Sequence, residues 1–472
     1  FRVVQSRYSM ESKVDSLSST NSVQVPWWKL LNKYHWFVLV VAALGWLFDC
    51  LDQQLFLLAR VPAMRDLLAP GQDVNEYAGY ATAIFVMGWA TGGLIFGVLG
   101  DRIGRAKTMM ITILIYSLCT GLSALSVGFW DFAFYRFITG LGVGGEFAVG
   151  VALVAEVMPE KARPHALGLL QALSAVGNVT AAFVEMGLSS WEASGGMPDH
   201  WAKWRVMFVI GAFPAILALI IRWRLKEPDK WKQVKESKVV QKHAGSYRAL
   251  FAHPQWRRNA IVGLCLACAG VIALWGIVFF SFDLVASVME KKLAAQGMEG
   301  AELKGAVGQW KGRTSLMLNV GAFLGMLAFT KFTQKTSRRL AFCVGFIGAM
   351  ISTALVFWLL REPWHVYVLV PIMGFFMLGI FGGYAIYFPE LFPTSLRSTG
   401  TSFCYNVGRF IAASGPWTLG LLSSRVFQDT DEPLRYAGLA MCGIFIVGLL
   451  VLPFAPETKG QPLPEDERGF AH

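Results

Sequence analysis

Gly140-Leu-Gly142-Val-Gly144-Gly145-Glu146-Phe-Ala-Val-Gly-Val-Ala-Leu-Val-Ala-Glu156-Val-Met-Pro159-Glu-Lys-Ala-Arg163 is the stretch on which the reading of this chain turns. Displaced by 234 residues, Gly374, Gly379 and Glu390-x-x-Pro393-x-x-x-Arg397 repeat its glycines and its closing charged motif. Nearly the same displacement carries Phe48-Asp49 onto Phe282-Asp283, and Gly88 and Gly92 onto Gly321 and Gly325. It also carries Val176-Gly177-Asn178-x-x-Ala181-Ala182 onto Val407-Gly408-Arg409-x-x-Ala412-Ala413. In a chain with 48 glycines one such match would be chance, but five paired segments at a near-constant displacement are an internal repeat.

The composition fixes the solvent of that repeat. Hydrophobic residues are 55% of the 472 and charged residues 15%, against about 25% charged in a soluble domain. A soluble core cannot absorb this much apolar surface, so lipid must. A crossing helix needs about 20 mostly apolar residues. Twelve segments qualify: 36–58, 77–99, 107–126, 131–157, 165–188, 204–222, 259–287, 314–331, 340–360, 364–391, 396–423 and 436–454. The expected fold is an all-α membrane protein with twelve transmembrane helices in two pseudo-symmetric six-helix bundles. Residues 36–222 form the first bundle and 259–454 the second. The stretch 223–258 is a basic linker, and 1–35 and 455–472 are polar tails.

Lys and Arg orient the spans. Of 42, the loops expected in the cytoplasm hold 21 and the outer loops 12. Both termini are therefore placed in the cytoplasm of a multi-pass plasma-membrane protein. In that setting the net charge of +11 is a topology signal, not a nucleic-acid footprint. All seven cysteines fall in apolar segments, with no disulfide or metal spacing. Residues 1–25 contain no apolar run and are not read as a signal peptide. The chain offers no phosphate loop, metal cluster or serine elbow, so no cofactor, no metal and no enzymatic chemistry are expected.

Gly97-Val-Leu-Gly-Asp101-Arg102-Ile-Gly104-Arg105-Ala-Lys107 resembles the loop signature of the major facilitator superfamily. Arg136-Phe-Ile-Thr-Gly140-Leu-Gly142-Val-Gly144-Gly145-Glu146 resembles the fourth-helix signature of its proton-coupled members. The Gly-Gly-Glu ending is similar to the metabolite–proton and sialate–proton symporter branches. Pro389-Glu-Leu-Phe-Pro393-Thr-x-x-Arg397 and Pro456-Glu-Thr-Lys-Gly460 also resemble sugar porters and the related organic-ion carriers. The resemblance spans nearly the whole chain and implies transport by alternating access. One departure stands out: the 8–9 loop reads Thr333-Gln334-Lys335-Thr336-Ser337-Arg338-Arg339, without an acid at the Asp101 position. A second gate there cannot copy the first.

Loop charges divide between solvated edges and latches. Exposed pairs are worth only about 0–1 kcal/mol, yet Glu-x-x-Pro-x-x-x-Arg recurs in both halves. Asp101, Arg102, Arg105, Glu156, Arg163, Glu390 and Arg397 are thus candidate gate residues.

Charges within spans are functional candidates, because each costs about 2.5–3.5 kcal/mol near the bilayer centre on insertion scales. Asp49 and Asp52 lie on one helix face, and Gln53 extends that polar stripe. Arg136 enters at the depth of Asp52, either as a structural tie or as half of a proton switch. The resemblance favours the switch, since related proton symporters carry an Asp on helix 1 opposite the helix-4 Arg. Glu146 is either a relay or a backbone hydrogen-bond partner. Glu185 and Asp283 fall toward the outer ends.

Arg409 lies near the midplane, and its repeat partner is the neutral Asn178. That asymmetry suits an anion. Tyr405, Asn406 and Gln171 share the relevant faces, and Trp275, Tyr384 and Tyr387 are aromatic candidates for the cavity wall, although packing competes for each. The reading that follows is proton-coupled symport of a small organic anion, a carboxylate, by a monomeric carrier. A sugar or polyol porter is the alternative that the Pro-Glu-Thr-Lys-Gly tail supports. A receptor or channel fits less well.

Overall fold

The computed structural model describes residues 26–466, except 73, 194–196, 198–200, 215–223, 237–243, 279, 413–417 and 420. Most of the expected N-terminal tail and the end of the C-terminal tail lie outside the described residues. No strand occurs among the described residues, and ten helices there are long and apolar enough to cross a membrane. Spans 1 to 5 are Lys33–Leu67, Val74–Ile103, Arg105–Ser123, Phe129–Val157 and Arg163–Ala193. Span 7 is Pro254–Ala273, continued by a π turn at Leu274–Val278 into Phe280–Ala295. Spans 8 to 10 are Gly300–Lys335, Arg338–Leu359 and Pro363–Glu390, and span 12 is Pro433–Phe454. Within the expected sixth and eleventh spans the described helices are Lys203–Gly211 and Arg397–Ala412, and residues 215–223, 413–417 and 420 lie outside the described set. The protein is an all-α, twelve-span fold of two pseudo-symmetric bundles.

The helices outrun the expected spans. Residues 288–313, expected as a loop, are mostly helical, because spans 7 and 8 extend beyond their apolar segments and pair Lys311 with Asp283 at 3.2 Å. Asn32 starts span 1 by accepting from His35 N, and Ser337 starts span 9 by accepting from Leu340 N. Gly104, at φ +116°, makes the tight turn between spans 2 and 3.

The repeated glycines are helix contacts. A Cβ on Gly88 would strike Phe137 O, and one on Gly140 would strike Phe85 O, so spans 2 and 4 pack backbone to backbone. Gly321 against Pro371 O and Gly374 against Leu318 O do the same for spans 8 and 10. Without a hydrophobic drive between helices in lipid, such close approach carries the packing. The halves meet along two seams, span 2 with span 11 and span 5 with span 8. These seams exchange under the repeat.

Candidate functional site

We call the side carrying the 2–3, 4–5, 8–9 and 10–11 loops the basic face. The first seam is closed there. Asp101 accepts from Ser398 N at 3.2 Å, Thr399 N at 2.8 Å and Thr399 Oγ1 at 2.6 Å, capping span 11 from the other half. Backbone N–H groups at a helix start are unsatisfied and partly positive, which suits a carboxylate. Arg105 lies flat on Glu156, with Nε 3.1 Å from Oε2 and Nη2 2.9 Å from Oε1, and it is 3.0 Å from Asp101. It also donates across the seam to Thr394 O at 2.6 Å. Arg397 reaches Glu156 Oε1 at 2.8 Å. All four charged side chains are buried.

The second half reproduces part of this. Arg338 lies on Glu390 at 3.1 and 2.9 Å, as Arg105 does on Glu156. Each of these helix starts is clamped by a glutamate from beyond the last span of its half. Glu227 accepts from Arg105 N, Ala106 N and Lys107 N, and Glu457 from Arg338 N and Arg339 N. Burial works to raise the Glu457 carboxyl, but these donors with Lys459 N outweigh it and hold it below its ordinary value. Further along the tail, Asp466 accepts from Ser395 N and Ser395 Oγ, and burial raises its carboxyl above the usual range.

Inside the first bundle two acid clusters separate. Asp52 accepts from Thr120 Oγ1 at 2.7 Å and faces Arg136 at 3.7 Å. Arg136 also donates to Ser123, Thr120 and Thr139 and stacks on Phe208 at 4.7 Å. Asp49 turns instead to Glu146 and lies beside Tyr116. Glu146 occupies the space that a side chain at Gly45 would need. None of the four oxygens of Asp49 and Glu146 accepts a hydrogen bond from a described donor.

Arg409 sits on the first seam. Its Nη1 donates to Asn406 Oδ1 at 2.6 Å, and its guanidinium carbon lies 4.4 Å from the Trp89 ring of the other half and 5.5 Å from that of Tyr405. It is 9% exposed, and among the described residues no carboxylate lies within ion-pair distance. Asn406 packs on Gly93, and its Nδ2 donates to Ser402 O.

Residues 42–416 match the Major Facilitator Superfamily. The chain belongs to that superfamily. A putative metabolite transport protein of Haemophilus influenzae is 28% identical, over 92% of this chain and 99% of that protein. The cis,cis-muconate transport protein of Acinetobacter baylyi is 30% identical, over 78% and 83%. The niacin transporter of the same organism is 27% identical, over 92% and 96%. Among solved structures, the proton:xylose symporter XylE bound to 6-bromo-6-deoxy-D-glucose superposes with TM-score 0.73 at 16% identity, covering 91% of this chain and 98% of that one. This major facilitator is a multi-pass membrane transporter and not an enzyme.

Within this major facilitator several expected site residues occupy other places. Asn178 donates from Nδ2 to Asn319 Oδ1 at 3.1 Å on the second seam, because the repeat sends span 5 to span 8. Tyr384 is fully buried, donating to Leu266 O at 2.5 Å while its ring supports Tyr405. Tyr387 donates to Pro456 O at the basic face. Arg102 is exposed and reaches the linker carbonyl Ala244 O at 3.3 Å, not the other half. Gln171 is buried with Oε1 unbonded, Gln53 is half-buried, and Trp275 is half-buried on the π turn of span 7. Trp89, Asn319, Arg338, Glu227 and Glu457 enter the account from the structure. Arg105 and Arg338 differ by 233 residues, and Glu227 and Glu457 by 230, so the repeat itself held the signal for those four. For Trp89, one of 17 tryptophans, composition offered none.

Proposed function

We propose that this transporter carries a small organic carboxylate together with protons by alternating access, its two bundles (36–222 and 259–454) rocking about the seams. The basic face is placed in the cytoplasm of a plasma-membrane protein on the strength of the Lys and Arg distribution. One observation carries the substrate reading: Arg409 is buried at the seam between the halves, bonded to Asn406 and lying over Trp89 and Tyr405, with no carboxylate within ion-pair distance among the described residues. An unneutralised guanidinium in a membrane interior is costly, and its donor fork matches a carboxylate. The names of the muconate and niacin transporters among the relatives agree with this reading.

The proton reading rests on the two acid clusters. Asp52 has Arg136 as its counter-cation, whereas Asp49 and Glu146 adjoin with none among the described residues. Two buried carboxyls side by side accommodate a proton between them far more readily than two charges. The sugar-porter alternative has the Pro456-Glu457 motif for its support, and that motif clamps a helix start at the basic face, away from Arg409 in the sequence and with no bond to it among the described residues. The test is the affinity of folded Arg409→Ala for carboxylates. A loss of about 30-fold or more is expected, and wild-type affinity would return the sugar reading to first place.

A further inference from the structure

Span 2 and span 11 run past each other in register: Trp89 meets Arg409, Gly93 meets Asn406, Gly97 meets Ser402, and Asp101 meets Ser398. Small residues fill the middle of this strip, and a Cβ at Gly93 or Gly97 would collide with the opposite helix. Ser402 Oγ further bonds Gly93 O. The Trp89 backbone is wedged against span 4, where a Cβ on Gly144 would strike Trp89 O. The backbone of Trp89 is thus held against span 4, and its indole is 4% exposed, packed beside Phe85, with its face under the guanidinium.

Apart from Tyr405 and Asn406 on its own helix, Arg409 has Trp89 as its support. Four methylene-linked torsions make an arginine fork mobile, and two-point capture of a carboxylate needs it flat and aimed. A desolvated cation is attracted to an indole face strongly enough to favour one orientation. Resting on the carboxylate reading of Arg409, we propose that Trp89 is a positioning residue for substrate capture. The first half thereby holds flat the arginine with which the second half binds the anion. Through the strip, the same contact lies on the helix pair that Asp101 closes.

The test uses the full-length protein in detergent and in membranes, with acetate, cis,cis-muconate and nicotinate as probes. Thermal shift gives affinity, and uptake gives KM and kcat separately. Trp89→Leu keeps apolar bulk and loses the π face, whereas Trp89→Phe keeps a face. We expect Trp89→Leu to weaken the best probe about 10-fold, mainly in KM, and Trp89→Phe to stay within about 3-fold. In the Arg409→Ala background Trp89→Leu should have no further effect. Wild-type-like affinity in Trp89→Leu, or equal losses in the Leu and Phe variants, overturns the positioning role while leaving the Arg409 reading intact. Wild-type affinity in Arg409→Ala, or no probe stabilising the wild type, overturns the carboxylate reading itself. Should Trp89→Leu fail to survive extraction, the KM comparison in membranes carries the same contrast.

Discussion

Arg397 crosses between the halves to Glu156, its Nη1 2.8 Å from Oε1, whereas Arg163, at the equivalent place in the repeat, spends its Nε on the Ala155 carbonyl of its own half. Arg397 also bonds Pro389 O, the counterpart of Ala155 O, so the local fold is shared and only the bridge is added. The difference follows from the seams. At the first, Asp101 draws the start of span 11 in until Arg397 reaches Glu156. At the second, the 8–9 loop has no acid to draw in span 5, and Glu390 takes Arg338 and Thr458 instead.

Glu156→Gln should therefore open the basic face more than Glu390→Gln does. Removing one partner from a buried ion cluster costs about 3–5 kcal/mol, and in Glu156→Gln that cost falls on the closed state. Asp101→Asn should act the same way, impairing uptake while leaving affinity within a few-fold, because it shifts populations and not the binding groups. Labelling of cysteines introduced at the basic-face end of spans 2 and 11 would report opening. Equal labelling of the two glutamate variants would remove the asymmetric-gate account.

The repeat, the twelve spans and the paired charges of the loop motif were legible in the sequence because each is written at short range, in glycine spacing, hydropathy and a charged motif. Asp52–Arg136 and Arg409–Asn406 were legible because a charge in an apolar span stands out. What was hidden depends on partners far along the chain. Asp49 and Asp52 share a helix face by spacing, yet span 4 meets one with Glu146 and span 3 meets the other with Thr120. Asn178 reads as the counterpart of Arg409, yet the same symmetry that makes it so sends it to the opposite seam.

The Glu457 clamp predicts a pH-dependent stability. Its carboxyl is held below the ordinary value of 4.5, so the clamp is present above that value and is lost as pH falls through the depressed one. Glu457→Gln should lower the melting temperature at neutral pH by the equivalent of about 1 kcal/mol, as for loss of a helix cap. The gap to wild type should narrow as the buffer is acidified below pH 4.5. A gap that stays constant with pH would show that the charge is not what matters.

The last prediction separates the two acid clusters. Asp52 is bound into a network with Arg136, Thr120 and Ser123, so its loss strands a buried cation over Phe208. Asp52→Asn should destabilise the first bundle, by up to about 3–5 kcal/mol, and reduce every transport mode alike. Asp49 and Glu146 have no counter-cation to strand among the described residues. Asp49→Asn and Glu146→Gln should leave melting near wild type and retain substrate exchange in proteoliposomes, because exchange needs no net proton movement. Both should lose accumulation driven by a pH gradient, since a neutral amide cannot release a proton. The measurement is uptake with and without an imposed pH gradient, beside counterflow of labelled substrate. Accumulation retained in both variants would place the coupling proton on Asp52. Loss of counterflow as well would make the pair a structural contact between spans 1 and 4.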